Sequence, residues 1–347
     1  MEPIRTAILG FAHAHVGMYV ARWREQPQLG VQVVAGWDPD AARAEASCQK
    51  HGLEKAADLA ELLRRPDVEA VVIGSETSMH AELVEQAARA GKKIVLQKPL
   101  CLTLDEADRM VKVVAETRAP FTLAWQMRVD PQNLQMKELL ASGRFGRLFM
   151  IRRRHCLPTQ NWKDFDKSWH VQPCFNRDIF ADDAAHPIDF IYWLLGRPRS
   201  VVAEMGTLAN PAIVHDNAIA VYRYAGGAFA EVSCTFAAAA GENTTEIVCE
   251  KGVIVGNCGD LVSSMIPRPP GGIQLKWFHA DDNAWTVSGE PDVPNQGARI
   301  QGLAAPLAEF LRGLRPPIAT AEEGRDVLGM TLACYESAEL GKRIELW

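Results

Sequence analysis

"AILGFAHAHVGMY", residues 7–19, is the stretch whose reading decides the fold. The apolar run Ile4–Leu9 reads as a buried strand that ends at Gly10, and residues 14–26 read as a helix. A strand, a glycine turn and a helix open a dinucleotide-binding unit, in which three glycines serve separate purposes. The first makes the tight turn, and Gly10 is there. The second lets the backbone approach a pyrophosphate, and its place is taken by the small Ala12. The third lets the helix pack close to the strand, and its place is taken by His15. His13 and His15 also admit a rival reading, a strand-end His-x-His pair that ligates a divalent metal in an amidohydrolase barrel.

The neighbouring segments choose between these. "VQVVAGWD" (31–38) reads as a second strand, and Asp38 lies 23 residues after His15 (38 − 15). A carboxylate there accepts from ribose hydroxyls and favours a free 2′-hydroxyl, hence NAD over NADP. Arg43 lies within reach of the same end and leaves NADP open. Asp38 has a second possible role, as the cap of the helix that follows Pro39 and stops at Gly52. A short helix, a strand at 68–75, a helix stopped by Gly91 and a strand in "KKIVLQKP" come next. A Thr103–Glu106 capping-box spacing then opens a helix, and "PFTLAWQ" is the last strand of the series. Strands and helices alternating through short links predict a parallel sheet covered on both faces. The alternation stops near residue 125, whereas a barrel needs about eight such units.

The texture then changes. A helix is expected over 132–142, ended by Gly143, and a strand in "RLFMIRRRH". The basic run Arg152–Arg154 reads as a strand edge or a small anionic contact. Residues 156–178 are irregular. "DIFADDAAHPIDFIYWLLG" reads as a helix with Pro187 in an early turn or at a kink. Beyond residue 200, hairpins are expected at Gly226-Gly227 and Lys251-Gly252; 261–298 gives no assignment, and two helices close the chain. The fold class is α/β: a Rossmann-type doubly wound parallel sheet over 1–122. An α+β domain with a large, open antiparallel sheet is expected over 123–347. The last helix is expected to pack back on the first domain.

A chain of 347 residues suits two domains. Its net charge of −6 speaks against nucleic acid as a partner. The 8 cysteines form no C-x-x-C pair, so neither a zinc ribbon nor a redox motif is expected, and no metal. No run approaches the ~18 apolar residues that span a bilayer. A cytoplasmic protein without a membrane partner is the expectation.

Two further stretches carry chemistry. In "IVLQKPLCLT", Lys98 follows a buried strand, at the strand ends where ligands of such sheets bind. Pro99 admits a cis bond. In "FADDAAHPIDFIYWLLG", Asp182 and His186 are four apart and share a helical face, with Asp189 three further on. A carboxylate and an imidazole on one face make a proton-handling pair. The structural reading of the same residues is a helix cap and a buried, satisfied histidine.

Taken in order, these segments resemble the Gfo/Idh/MocA family of nicotinamide-dependent sugar and polyol oxidoreductases. The resemblance rests on residues 66–105, on the D-x-x-x-H-x-x-D match at Asp182, His186 and Asp189, and on the closing "ACYESAELGKRIEL". It implies a sugar or polyol substrate and a homodimer or homotetramer formed through the C-terminal sheet. It implies NAD, with NADP as the alternative, held by Gly10, Phe11, Ala12, His13, His15, Asp38, Arg43, Ser75, His80, Gln97 and Lys98. His13 is expected over the pyrophosphate and His80 at the nicotinamide end. Lys98, Asp182 and His186 would be catalytic: His186 as base, Lys98 on the developing oxyanion, Asp182 holding a hydroxyl or tuning the other two. Arg128, His155, Trp162, Trp169 and His170 would shape the substrate pocket with them. The chain departs from the family pattern in its glycine loop, at Gln97 where Glu is usual, and at Arg177 and Asp178 where small residues are common. A non-catalytic member that senses NAD or a sugar is the alternative.

Overall fold

In the computed structural model, residues 2–239, 243–257, 272–291 and 293–347 are described. Six strands, β1 (Ile4–Leu9), β2 (Val31–Trp37), β3 (Glu54–Lys55), β4 (Ala70–Ile73), β5 (Lys93–Leu96) and β6 (Phe121–Leu123), pair in parallel. Their order is β3-β2-β1-β4-β5-β6, that of a doubly wound dinucleotide-binding sheet. An open sheet of this order excludes the amidohydrolase barrel. β4 is buried along its whole length because both faces of a parallel sheet are covered. Helices α1 (His15–Glu25), α2 (Ala41–His51), α3 (Leu59–Arg64), α4 (His80–Arg89) and α5 (Leu104–Thr117) connect the strands. The Thr103–Glu106 capping box is formed at α5.

The chain divides into two units. The first comprises 1–126, 174–176 and 300–328, and the second comprises 127–173, 177–299 and 329–347. The expected division between 122 and 123 therefore moves to 126/127, and a late segment joins the first unit. The reason is hydrogen bonding. Ala124 N–H extends the β6 pairing to Leu96 O, and Leu123 N–H donates to Ala319 O. Trp23 Nε1 donates to Ala304 O at 2.7 Å, inside the first unit.

The second unit is built on a nine-stranded sheet ordered β14-β13-β12-β11-β7-β10-β9-β8-β15. Its strands are β7 (Leu148–Cys156), β8 (Ser200–Gly206), β9 (Asn217–Arg223), β10 (Phe229–Thr235), β11 (Thr244–Cys249), β12 (Gly252–Asn257), β13 (Leu275–His279), β14 (Ala284–Val287) and β15 (Ile344–Glu345). All pairings are antiparallel except that of β7 with β10. Both expected hairpins form. The unassigned stretch contributes β13 and β14, while its residues 261–271 and 292 lie outside the described residues.

β7 is a central strand, which corrects the edge reading of Arg152–Arg154 and leaves the other, a small anionic contact. Alternation along it turns Arg152 and Arg154 outward and buries Arg153 and His155 on the other face. Arg152 meets Glu246 across the strands at 2.9 Å, and Arg153 bonds Thr245 Oγ1 at 2.5 Å. Helices α6 (Pro131–Ala141) and α7 (Pro173–Asn176) precede α8 (Ala185–Leu195), which packs on β7 and β10.

Candidate active site

The first unit supplies a turn at the carboxyl ends of β1, β2 and β4. Gly10 has φ +86, and a Cβ there would lie 2.5 Å from the Ser75 backbone, so only glycine fits. Gly10 N–H donates to Trp37 O and His13 N–H to Gly74 O. The close approach of helix and strand that a third glycine usually permits comes from the facing strand end. A Cβ on Gly74 would stand 2.3 Å from Val16 Cγ1 of α1. His15 is thereby accommodated. It is half-buried at the first position of α1, while His13 is buried, with the two rings 4.2 Å apart. Of the pair, His15 is the more accessible. The first turn of α1 has no side-chain cap and no acidic residue, as a helix start that receives a phosphate requires.

Asp38 does not cap α2; Asp40 does, bonding the N–H groups of Ala42 and Arg43. The Asp38 carboxylate is enclosed. Its Oδ2 accepts Phe11 N–H at 2.7 Å and Arg43 Nε at 2.8 Å, and its Oδ1 accepts Asp40 N–H at 2.9 Å. Phe11 in turn lies over Gly36.

Lys98 is buried at the end of β5, followed by a cis bond to Pro99. Two of its expected neighbours work inside the fold. His80 is fully buried, with Nδ1 2.9 Å from Pro99 O and Nε2 3.3 Å from Ser75 O. Burial pushes its imidazole down to about 4, against the pull of the carbonyls. His80 therefore fixes the turn that carries Lys98. Gln97, also fully buried, donates through Nε2 to Tyr19 Oη at 2.8 Å. A neutral amide can sit there without the cost of burying a carboxylate. Both ring nitrogens of His80 and the amide nitrogen of Gln97 thus have partners within the first unit.

The second unit supplies a cluster of histidines and carboxylates. Phe180–Ala184 forms a π-helical turn before α8, a feature frequent at functional sites. It widens the spacing, so the face expected of Asp182, His186 and Asp189 is redistributed. Asp182 Oδ2 bonds His170 Nδ1 at 2.9 Å. Asp183 Oδ2 bonds His155 Nε2 at 2.5 Å, and its Oδ1 lies 3.8 Å from His186 Nε2. Asp189 bonds Arg128 through Nε and Nη2, the latter at 2.7 Å, with both side chains buried. Arg128 is thus one half of a buried ion pair.

Asp183 is the residue that sequence reasoning missed. The signal was the adjacent pair Asp182-Asp183, which helical spacing alone reduced to one useful carboxylate. Trp162, Trp169 and His170 are each half-buried, not core. Trp169 stacks on His170 with centroids 3.9 Å apart. Among the described residues no group of three or more His, Cys, Asp or Glu is arranged to hold a metal ion, and no helix is long and apolar enough to cross a membrane.

The sheet order, the Gly10 turn and the uncapped α1 define a dinucleotide-binding protein. Residues 4–124 match the oxidoreductase family's NAD-binding Rossmann fold, and 133–255 match the GFO/IDH/MocA C-terminal domain. The chain belongs to the Gfo/Idh/MocA family of NAD-binding oxidoreductases. It is 26% identical over 326 residues to a 1,5-anhydro-D-fructose reductase of Ensifer adhaerens, covering 91% of this chain and 92% of that one. An inositol 2-dehydrogenase of Rubrobacter xylanophilus is 26% identical over 321 residues, 90% of this chain and 85% of that one. The fold superposes with TM-score 0.84 on a levoglucosan dehydrogenase solved with NADH and levoglucosan, at 21% identity, covering 99% of this chain and 100% of that one.

Proposed function

We propose that the chain moves a hydride between NAD and a hydroxyl-bearing carbon of a sugar or polyol. The observation that carries this is the His155–Asp183–His186 arrangement in the second unit. The Asp183 carboxylate is bonded to one imidazole, His155, and its other oxygen lies 3.8 Å from a second, His186 Nε2. His186 is assigned as the base that takes the hydroxyl proton as the carbonyl forms, and returns it in the reverse direction. Lys98 is assigned to the oxygen on which charge develops. Asp182, held by His170, accepts from a further substrate hydroxyl, and Trp162 and Trp169 offer faces to sugar C–H surfaces. The bound nicotinamide supplies the hydride acceptor at its C4.

Exposed Phe149, Val202, Ile219, Phe229 and Trp285 on β7–β10 and β14 support a homodimer or homotetramer joined through this sheet. Sedimentation should give twice or four times the chain mass, and a monomer would remove that part of the reading.

The test is a screen of cyclic polyols and anhydro-sugars for NAD reduction, followed by His186→Ala and Lys98→Ala. Each variant should lose about 100-fold or more in kcat, with NAD binding retained in His186→Ala. An unchanged rate in His186→Ala would overturn the assignment. Tight NAD binding without turnover of any compound would turn the reading toward a sensor.

A further inference from the structure

Three charged side chains of the first unit meet beyond the strand ends. Arg43 holds Asp38 through Nε at 2.8 Å and Glu76 through Nη2 at 2.8 Å. Glu76 is the third residue past β4 and follows Ser75, against whose backbone Gly10 lies. The trio therefore stands at the carboxyl ends of β1, β2 and β4, where ligands of doubly wound sheets bind. Two carboxylates and one guanidinium leave a net charge of −1 (−2 + 1) at this corner.

The acceptors are unequal. Both oxygens of Asp38 are engaged by donors from its own unit, and its side chain is fully enclosed. Glu76 is buried, and its Oε2 has no partner among the described residues. A buried acceptor without a donor is costly, and a ligand hydroxyl can supply what is missing. A ribose hydroxyl donates; a phosphate dianion does not, and it meets a like charge.

We propose that Glu76 is the residue that admits NAD and refuses NADP. It ties up the guanidinium that would otherwise pair with a 2′-phosphate, and it keeps the corner negative. This rests on the reading of the turn as the dinucleotide site and adds a residue to it: the discrimination expected of Asp38 passes largely to Glu76. Arg43, the usual kind of group for a 2′-phosphate, is converted into a structural bridge.

The test is calorimetric titration with NAD and, separately, NADP, on the wild type, Glu76→Gln and Glu76→Gln/Arg43→Ala. Circular dichroism checks that each is folded, and Glu76→Ser stands in should the glutamine variant fail to fold. The wild type should bind NAD at least about 10-fold more tightly than NADP. Glu76→Gln should tighten NADP by about 10-fold, the worth of a charged hydrogen bond. The double variant should lose that gain. NAD binding with a NAD-to-NADP ratio that moves less than threefold in Glu76→Gln and Glu76→Ser overturns the proposal alone. Equal wild-type affinities also overturn it. A wild type that binds neither dinucleotide overturns the dinucleotide reading and the proposal together.

Discussion

The turn after β1 and the start of α8, the two regions assigned above to cofactor and substrate by proposal, are held by different means. The turn is held by main chain. Gly10 and His13 donate their N–H groups to Trp37 and Gly74 carbonyls, and Gly10 and Gly74 keep open space that a Cβ would fill. The start of α8 is held by side chains. Asp182 is bound to His170, Asp183 to His155 and Asp189 to Arg128. A region built from backbone tolerates changed side chains, such as Ala12 and His15, provided the space is kept. A region built from side-chain hydrogen bonds and a buried ion pair needs each polar group, while leaving open which carboxylate serves which partner.

The largest effect should come from breaking the second kind of region. Asp189→Ala leaves the Arg128 charge buried without its bidentate partner. Removing one half of such a pair costs about 3–5 kcal/mol. The midpoint of urea unfolding should fall accordingly in the second unit, and the apolar double replacement Arg128→Met/Asp189→Leu should recover most of it. A single variant with wild-type stability would mean that the pair contributes no more than a solvated one.

A somewhat smaller effect distinguishes the turn that carries Lys98. The folded pKa of His80 lies near 4, below its ordinary 6.5, because the imidazole is buried neutral. The unfolded chain therefore binds the proton first as pH falls. The stabilisation is complete above about pH 6.5, is lost as pH falls towards 4, and does not change below that. The shift corresponds to about 3 kcal/mol. His80→Asn keeps a donor for Pro99 O but does not titrate, so its stability should fall less than that of the wild type over this window. Parallel slopes in urea titrations at neutral and acid pH would remove His80 from the account.

How far each region can be read from sequence follows from the same contrast. The parallel, doubly wound sheet, the capping box at Thr103, both hairpins and the position of Lys98 after a buried strand rest on local periodicity and turn chemistry, and they were legible. The place of helix–strand contact was not, because Gly74 lies 59 residues beyond His15 (74 − 15) and carries no motif. Asp183 was hidden for another reason. A four-residue spacing assumes an α-helix, whereas the π-turn at Phe180–Ala184 moves the neighbouring carboxylate onto His155 and towards His186. Arg152–Arg154 looked like an edge because side-chain alternation within a central strand is invisible until its partners β11 and β10 are known.

Gly74 gives the most local way to sharpen the comparison. If the turn depends on space rather than on its own residue types, the critical substitution is one far from it in sequence. Gly74→Ala places a methyl carbon 2.3 Å from Val16 Cγ1, closer than any real contact, so α1 must shift or Val16 must change rotamer. Overpacking of this kind costs about 1–3 kcal/mol. Because the displaced helix is α1, whose first turn faces the diphosphate in the reading above, NAD affinity should fall along with stability. Val16→Ala removes the opposing methyl groups, and the pair Val16→Ala/Gly74→Ala should recover affinity more fully than stability, since the volume is restored but apolar contact is lost. His15→Gly, which restores the letter of the glycine pattern, should change NAD affinity less than Gly74→Ala does. The opposite ranking in a calorimetric comparison of the two single variants would mean that the glycine pattern itself, and not the space it stands for, governs the turn.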